Sequence, residues 1–467
     1  MILLAHSYFL LDDPKQVERM KPYPPLSTLL AAAVLRRRGH EPVFFDAMLA
    51  RGVEAFAEAL DRSRPSIVGI LEDNFNFLTK MCTLRMREAT LEMIRMARER
   101  GCRVAVNGSD ASDRPALYLA VGADAVILGE GEMGFAELAD AWTRDPGAEI
   151  GDIPGLALPA PAGAVRRTVP RPGIGDLDAL PLPAWDLVDA DLYQRAWRAA
   201  HGWTSWNMAT SRGCPYGCNW CAKPVFGRRY AQRSPAAVAM EMRQLKTQIG
   251  PDHVWFADDI FGLTPDWIEA FAGEVRRLDA RLPFMIQSRS NLMRPAAVAA
   301  LAEAGAEEVW MGVESGSQKI LDAMDKGATV EEARSATRTL KQHGIRACWF
   351  VQLGYPSETW NDILLTRDLL REESPDDIGV SVAYPLPGTK FYDRVRLQLG
   401  VKRNWDDTGD LAMLFDGTYH TDFYREVRDL LHRENRAGRA DEAAWAALEA
   451  EEADARSAAP LSLAGER

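Results

Sequence analysis

Cysteine is scarce, basic charge is not in excess, and no long hydrophobic run occurs in this chain of 467 residues. Six cysteines are too few for a disulfide scaffold of this size. Fifty-five Lys and Arg against 67 Asp and Glu give a net charge of −12, which repels nucleic-acid phosphates and anionic lipid. Apolar runs such as Leu29–Leu35 are shorter than the roughly 20 residues that cross a bilayer, and Met1–Leu11 lacks the charged start of a signal peptide. We therefore expect a soluble, cytoplasmic protein that binds neither nucleic acid nor membrane.

The composition is that of a folded, enzyme-sized protein. Hydrophobic residues make up 47% of the chain and charged residues 26%, near globular averages. At roughly 100 to 200 residues per domain, the length predicts two to four domains. Cys82, Cys102 and Cys348 lie in apolar or helical contexts, where we expect buried structural thiols.

The N-terminal third alternates short apolar runs with amphipathic segments, which is typical of strands joined by crossover helices. The predicted strands are Ile2–Phe9, Pro42–Ala47, Ile67–Glu72, Arg103–Asn107 and Ala125–Leu128. These five strands predict one parallel sheet and a Rossmann-like fold over residues 1–146. Ligands of such sheets bind beyond the carboxyl ends of the strands. The loops expected there are Lys21–Ser27, Asp73–Phe77, Asn107–Asp110 and Gly129–Glu132.

A proline-rich segment and a second alternating series follow. Repeated prolines over residues 147–200 interrupt any periodicity and indicate a structured linker. The strands predicted after it are Trp206–Thr210, His253–Ala257, Phe284–Ser288, Glu308–Val313, Ala347–Leu353 and Ile378–Ala383. Six strand–helix units over residues 201–395 predict a partial parallel barrel, because a complete eightfold barrel takes about 250 residues. Residues 396–467 are expected to form a helical C-terminal region.

Three of the six cysteines, Cys214, Cys218 and Cys221, lie on a loop directly after the first barrel strand. Gly213 and Gly217 permit the backbone angles that wrapping around a small object needs. A disulfide would leave one thiol over, and zinc would want a fourth ligand nearby. A 4Fe-4S cluster uses thiolates at such spacings, and three of them leave one iron without a protein ligand. A zinc knuckle or three unrelated thiols are the alternatives.

The Cys-x3-Cys-x2-Cys run, with an aromatic residue before its last cysteine, resembles the cluster motif of the radical S-adenosylmethionine (SAM) superfamily, whose fold is a partial six-stranded barrel. Further segments match in order after the remaining strands. They are Phe256–Phe261, Gln287–Asn291, Gly312–Gly316, Gly354–Glu358 and Tyr384–Thr389.

The N-terminal half adds a narrower resemblance, to the cobalamin-binding radical SAM family of methylases and anaerobic cyclases. The matching segments are Lys21–Ser27, Arg37–Val43, Val126–Glu132 and Leu177–Trp185. The resemblance spans most of residues 1–395. One departure concerns the Asp-x-His-x-x-Gly loop, whose histidine binds the cobalt in cobalamin-dependent mutases and methionine synthase. Here the first predicted strand is followed by Leu10–Pro14, which contains no histidine.

The resemblance implies three cofactors: a 4Fe-4S cluster on the three cysteines, SAM and cobalamin. The residues implied for SAM are Asp258, Asp259, Arg289, Glu314 and Gly354. Each has a structural alternative: the two aspartates could start a helix, Arg289 could be a surface charge, and Glu314 could belong to an ion pair. Gly354 and Glu358 could simply form a turn. The residues implied for cobalamin are Pro25, Leu26, Asn107, Gly108, Gly129, Glu130, Gly131 and Glu132.

The implied activity is reductive cleavage of SAM to a 5′-deoxyadenosyl radical, followed by methylation of an unactivated carbon of a small-molecule metabolite. An external donor such as flavodoxin or ferredoxin would supply the electron. A cobalamin-assisted oxidative cyclase or rearrangement enzyme without methyl transfer stays open. A non-catalytic iron-sulfur or corrinoid carrier is the alternative of another class.

Overall fold

The computed structural model describes residues 1–76, 83–223, 225–399 and 412–456. Cys82 and Phe77, which the sequence analysis named, lie outside the described residues. The chain forms two compact units. The first unit contains residues 1–214, 223–259 and 277–282, and the second contains residues 215–222, 260–276 and 283–467.

The first unit is built on a seven-stranded sheet with the strand order β2-β1-β3-β4-β5-β6-β7. Its strands are β1 Ile2–Ala5, β2 Val43–Phe45, β3 Ile67–Leu71, β4 Arg103–Asn107, β5 Ala125–Ile127, β6 Leu156–Pro159 and β7 Val165–Arg167. The helices up to β6 are α1 Pro14–Arg19, α2 Leu26–Arg37, α3 Glu54–Ser63, α4 Thr83–Glu99, α5 Ser109–Asp113, α6 Pro115–Ala120 and α7 Gly131–Arg144. The first five strands are parallel, which confirms the predicted Rossmann-like α/β fold.

The sheet is larger than the sequence predicts, because the proline-rich segment contributes β6 and β7. These strands extend the parallel sheet in antiparallel fashion. The prolines do not prevent this, because Pro159 is the last residue of β6, where a missing N–H costs little. The first strand is also shorter than predicted, ending at Ala5 instead of Phe9.

Two hydrophobic layers cover the two faces of this sheet. Leu3 and Ala5 of β1 pack into one layer, and Ile2 and Leu4 pack into the other. Strand β3 is apolar along its whole length because both of its faces are buried. The sheet is therefore a rigid platform, and its carboxyl edge is where side chains can meet a ligand.

All six predicted barrel strands form. Within each unit, the described pairings between these strands are parallel. They are β8 Ser205–Met208, β11 His253–Phe256, β12 Phe284–Ser288, β13 Ala306–Glu314, β14 Arg346–Leu353 and β15 Asp377–Val382. Strands β8 and β11 pair in the first unit, and β12 to β15 pair in chain order in the second. Two short strands, β9 Ser211–Arg212 and β10 Ala231–Gln232, form a separate antiparallel ribbon.

Helices follow the barrel strands and form the C-terminal region. They are α8 Ala190–His201, α9 Pro235–Gln244, α10 Pro265–Arg277, α11 Pro295–Ala304, α12 Gln318–Ala323, α13 Val330–Gln342, α14 Trp360–Glu373, α15 Lys390–Val395, α16 Thr421–Ala437 and α17 Glu442–Ala455. In the second unit, Trp360 packs against Phe423 and Trp445, which anchors α16 and α17. None of the described helices combines the length and hydrophobicity that a membrane crossing requires.

Gly316, in the loop after β13, lets that loop approach α14 closely. A Cβ atom at this position would lie 2.3 Å from the carbonyl oxygen of Leu365. The Gly316 N–H donates to Thr366 Oγ1 at 2.9 Å. The close approach fixes the end of β13, where Glu314 lies.

We predict that Gly316→Ala lowers the free energy of unfolding by about 1–3 kcal/mol, because the methyl group collides with backbone atoms that cannot move aside. The matched control is Gly273→Ala in α10, where a Cβ would meet no atom within 4 Å. That change should raise stability by roughly 0.5–1 kcal/mol. Urea unfolding followed by circular dichroism measures both, and equal effects of the two changes would contradict the packing argument.

Candidate active site

Asn107 organises the carboxyl edge of the first sheet. Its Nδ2 donates to the carbonyl oxygens of Ile127 at 2.9 Å and Gly129 at 2.8 Å, and its Oδ1 accepts from Asn74 Nδ2 at 2.9 Å. A Cβ at Gly131 would lie 2.5 Å from Asn107 Oδ1. The predicted residues Asn107, Gly129 and Gly131 are thus brought together, and the glycine makes room for the amide.

Arg212, two residues before the first motif cysteine, is the charge partner of two predicted cobalamin residues. Its Nη1 lies 2.8 Å from Glu130 Oε2 and 2.6 Å from Glu132 Oε1; Arg212 and Glu132 are buried, and Glu130 is largely buried. Its guanidinium carbon also lies 5.5 Å and 5.3 Å from the ring centroids of Phe75 and Phe226. Although burial alone lowers the pKa of Arg212, the two carboxylates together raise it. This ion cluster ties the base of the cysteine loop to the loop after β5.

A cavity of about 130 Å³ adjoins this ion cluster, lined in part by Gly129, Glu130, Arg212 and Phe226. Gly129 has a φ of +75°, which a residue with a side chain would rarely adopt. This edge therefore offers a ligand polar groups and glycine backbone with open space beside them.

The remaining predicted cobalamin residues lie along the same carboxyl edge. Pro25 and Leu26 begin α2. The next residue, Ser27, donates its N–H to Asp73 Oδ1 at 3.2 Å, which joins this helix start to the loop after β3. A Cβ at Gly108 would lie 2.9 Å from Cγ of Glu72, so glycine is needed there as well.

The shortened first strand corrects one sequence inference, because a histidine does follow it. His6 comes directly after β1, which ends at Ala5, whereas the predicted strand runs to Phe9 and is followed by Leu10–Pro14. The His6 side chain is 1% exposed, and its Nε2 accepts from the Ala47 N–H at 3.0 Å and lies 3.0 Å from Asp46 Oδ1. This ring nitrogen is therefore engaged with the loop after β2.

Asp258, at the end of β11, is buried and bound to the loop after β8. Its carboxylate accepts from the Thr210 N–H at 3.0 Å, from Thr210 Oγ1 at 2.9 Å and from Ser211 Oγ at 2.5 Å. Burial nevertheless raises its pKa to about 7, against the lowering effect of those hydrogen bonds. Asp259, its neighbour, is exposed. The two predicted aspartates therefore occupy different environments.

The β9–β10 ribbon closes the loop that carries the cysteines, and Gly213 makes the closure possible. Arg212 pairs with Ala231 across the ribbon. Gly213 has a φ of +77°, and a Cβ there would lie 2.2 Å from the Arg229 carbonyl oxygen. Gly217 does not have a positive φ, so the prediction of a special backbone angle holds for Gly213 and is wrong for Gly217.

In the second unit, Arg289 lies against Cys218. Arg289 Nη1 is 3.5 Å from Cys218 Sγ, and the guanidinium carbon is 3.9 Å from the centroid of the Tyr216 ring. Arg289 Nη2 donates to the carbonyl oxygens of Lys326 and, at 3.2 Å, Gly327. The alternative of a surface charge at Arg289 is wrong, since the residue is 5% exposed.

Glu314 forms a buried ion pair with Lys326, at 2.6 Å from Oε1 to Nζ. Its φ of +67° and a register shift in the β13–β14 ladder re-aim the side chain at the end of the strand. A Cβ at Gly312 would lie 2.5 Å from Glu314 Oε1 and 2.7 Å from Lys326 Nζ, so glycine leaves space for the pair. The structure thus joins Cys218, Arg289, Lys326 and Glu314 in one contiguous network.

Gly354 lies apart from that network in the described contacts. Its φ is +74°, and its N–H donates to Glu358 Oε2 at 2.7 Å. Burial raises the pKa of Glu358 to about 8. The hydrogen bond from Gly354 to the Glu358 side chain closes the turn after β14, which is the structural alternative considered for these two residues.

Two residues of this site were missed by the sequence analysis. Asn219 lies between two motif cysteines and makes four hydrogen bonds. Its backbone N–H donates to the Met324 carbonyl oxygen, and its backbone carbonyl accepts from the Phe391 N–H. Its side-chain Nδ2 donates to the Ala323 carbonyl oxygen, and its Oδ1 accepts from the Tyr355 hydroxyl. Lys326 lies twelve residues after Glu314 and carries no local signal of its partnership. The position of Asn219 inside the cysteine motif was the one available clue.

The five described cysteines are thiols rather than halves of disulfides, and Cys102 and Cys348 are buried, as predicted. Within the described ranges, no three Cys, His, Asp or Glu side chains gather as tightly as a single metal ion requires. An iron–sulfur cluster binds each thiolate through a different iron atom and so does not need that spacing. The buried cation beside Cys218 fits an anionic cluster.

We predict that Asp258→Asn removes a pH dependence of stability. With a folded pKa of about 7 against an ordinary 3.8, Asp258 keeps its proton in the folded chain when the unfolded chain has lost it. The free energy of unfolding of the native sequence should therefore fall, relative to that of the variant, as pH rises from about 4 to about 7. Above that pH, the difference between the two should stay constant. Urea unfolding across this range measures the difference, and parallel curves would contradict the assignment.

Two family models match the chain. A B12-binding domain model matches residues 18–139, and the Radical SAM superfamily model matches residues 208–370. The first match covers four of the five parallel strands of the seven-stranded sheet, β2 to β5, and the loops that follow them. The second covers the barrel from β8 into α14 and includes all three motif cysteines.

The chain matches two related proteins over part of their length. The chain is 31% identical over 284 residues to an uncharacterised methyltransferase of Pyrococcus horikoshii, covering 60% of each protein. It is 28% identical over 280 residues to the anaerobic magnesium-protoporphyrin IX monomethyl ester cyclase of Rubrivivax gelatinosus, covering 58% of this chain and 49% of the cyclase. The chain thus spans about half to 60% of the length of these two relatives.

A solved structure shares the fold. The radical SAM methyltransferase TsrM from Kitasatospora setae, with cobalamin and a [4Fe-4S] cluster bound, aligns with a TM-score of 0.70 at 22% identity. The alignment covers 86% of this chain and 76% of that one. The order of the two domains, the two family models and these relatives agree with the resemblance found in the sequence. The chain therefore combines a segment that matches the B12-binding domain with a segment that matches the Radical SAM superfamily, in the order that the sequence resemblance implies.

Proposed function

We propose that the chain cleaves SAM reductively to a 5′-deoxyadenosyl radical and methylates an unactivated carbon of a small-molecule metabolite. The observation that carries this proposal is the buried network of Cys218, Arg289, Lys326 and Glu314. It joins a predicted cluster ligand to two predicted SAM residues at the carboxyl ends of barrel strands, where such barrels place their chemistry.

Cys214, Cys218 and Cys221 would hold the cluster through their thiolates. When bound, a 4Fe-4S cluster with three cysteine ligands supplies one electron and an open iron for SAM. Asn219 positions the loop, because its four hydrogen bonds fix the backbone between two of these cysteines. The chain thus presents the thiolates on a braced loop, which favours a defined cluster geometry.

The proposed SAM residues are Asp258, Asp259, Arg289, Glu314 and Gly354. Glu314 is the strongest of these, since its strained backbone and its bulge re-aim it at the strand end. Arg289 uses four of its five N–H groups on Asn291, Cys218, Lys326 and Gly327 in the described contacts. It therefore has at most one N–H left for a SAM carboxylate, and bidentate capture would need these contacts to break.

The proposed cobalamin residues are Pro25, Leu26, Asn107, Gly108, Gly129, Glu130, Gly131 and Glu132. When bound, methylcobalamin supplies a methyl group to the substrate. Glu130 and Glu132 act through Arg212, so their part is to hold the loop after β5 in place. The backbone of Gly129, which lines the cavity, is one part of this edge that a ligand could contact.

We propose a small-molecule substrate, an external electron donor such as flavodoxin or ferredoxin, and a cytoplasmic location. The electron is a separate requirement, because SAM itself supplies none for the reductive cleavage. The protein contributes orientation and exclusion of water around the cofactors.

The cyclase reading has a specific observation in its favour, the 28% identity to the Rubrivivax gelatinosus cyclase. Such an enzyme would use the same radical without transferring methyl. A non-catalytic carrier is a third reading, but it gives no role to the strain at Glu314. The product mixture distinguishes all three.

We expect the chain, reconstituted without oxygen with iron, sulfide, cobalamin and SAM, to form 5′-deoxyadenosine and S-adenosylhomocysteine, both measured by mass spectrometry. Cys218→Ala should bring both to background and lower the iron content, because one thiolate is lost. The matched control Cys348→Ala removes a buried thiol of β14 and should leave the amounts of both products unchanged. Deoxyadenosine alone would favour the cyclase, neither product would favour the carrier, and full activity of Cys218→Ala would overturn the cluster assignment.

Glu314 can be tested apart from its ion pair. Glu314→Gln should lower stability by about 3–5 kcal/mol, because Lys326 is left buried without its partner. Replacing both residues by Met should restore most of that stability, since similar apolar side chains can fill the space. We expect SAM affinity, measured by equilibrium dialysis, to fall at least about tenfold in both variants; native affinity in the double variant would assign Glu314 a purely structural role.

A further inference from the structure

Arg289 is a buried cation without a carboxylate. Its partners among the described residues are Asn291, the carbonyl oxygens of Lys326 and Gly327, the Tyr216 ring and Cys218 Sγ. In the part of the chain that the structure describes, none of these partners carries a carboxylate. A buried charge is costly unless an opposite charge compensates it. The site therefore lacks one negative charge.

The missing charge has a defined place. Arg289 Nη1 lies 3.5 Å from Cys218 Sγ, so an anion bound to that sulfur would lie beside the guanidinium. Two backbone carbonyls of the Lys326 loop and the Tyr216 ring hold the guanidinium plane in position. The cation is thus fixed before any cluster is bound, so it needs no rearrangement to act on a neighbouring anion.

We propose that Arg289 is a positioning residue that sets the reduction potential of the cluster through Cys218. This rests on the proposed function, because it requires the cluster on Cys218. Adding an electron makes the cluster more negative, and a fixed cation a few ångströms away stabilises the reduced form more than the oxidised form. Charge and hydrogen bonds at the sulfurs are among the determinants of such potentials. Arg289 therefore makes the cluster easier to reduce.

The Lys326 loop links this effect to Glu314. Arg289 binds the carbonyl oxygen of Lys326, and Lys326 Nζ binds Glu314 Oε1 at 2.6 Å. A ligand that draws Glu314 away from Lys326 would act on the same loop that holds the guanidinium. The potential of the cluster would then respond to occupation of the site.

The test is a redox titration of the full chain, reconstituted without SAM and reduced stepwise with dithionite, which transfers one electron to each cluster. Electron paramagnetic resonance measures the reduced fraction. Arg289→Met should lower the reduced-to-oxidised ratio at a given potential at least about tenfold, or about 59 mV for a one-electron couple. Arg289→Lys keeps the charge and should stay near the native potential.

Arg294→Met is the matched control, because it removes the same charge from an exposed position five residues away. It should leave the potential unchanged. A native potential in Arg289→Met with a full complement of iron would overturn the proposal. If Arg289→Met binds no cluster, retention of the cluster by Arg289→Lys would support a role for the positive charge. Loss of the cluster in both variants would overturn the proposal, because Arg289 would then act only by holding the site's geometry. A native chain that binds no cluster would refute the proposed function itself.

Discussion

A guanidinium buried without a carboxylate is the constraint on which the active site depends. Arg289 is held by neutral groups and by Cys218, so its charge is compensated only when an anion occupies the site beside that thiol. An iron–sulfur cluster on thiolates is such an anion. The same residue links the cysteine loop to the Lys326 loop, and one electrostatic requirement thereby connects the proposed cluster ligand with the proposed SAM site.

Backbone geometry, more than side-chain chemistry, makes this arrangement possible. Glu314 takes a left-handed conformation at the end of β13, and Gly312 leaves the space in which its carboxylate meets Lys326. In the first unit, Gly213 permits the close return of the cysteine loop, and Gly131 makes room for the Asn107 amide. These positions store strain or close contacts near the proposed ligands, as functional sites often do.

Local patterns predicted the elements well and their partners poorly. The six barrel strands were predictable because each is a short apolar run followed by a helical period, and the cysteine spacing is a local feature. The β6–β7 hairpin was missed because prolines such as Pro159, the last residue of β6, argue against a strand inside a sheet. The Arg212 ion cluster joins residues 82 positions apart, and the Glu314–Lys326 pair joins residues twelve positions apart. Charge alone does not indicate which carboxylate meets which cation.

The central claim is that three thiolates hold a four-iron cluster with one iron open to SAM. Mössbauer spectroscopy of the chain reconstituted with ⁵⁷Fe tests it most directly, before and after SAM is added. The account predicts the spectrum of a 4Fe-4S cluster in which SAM alters one iron of the four. A spectrum of isolated iron ions, or a four-iron spectrum that SAM leaves unchanged, would contradict it.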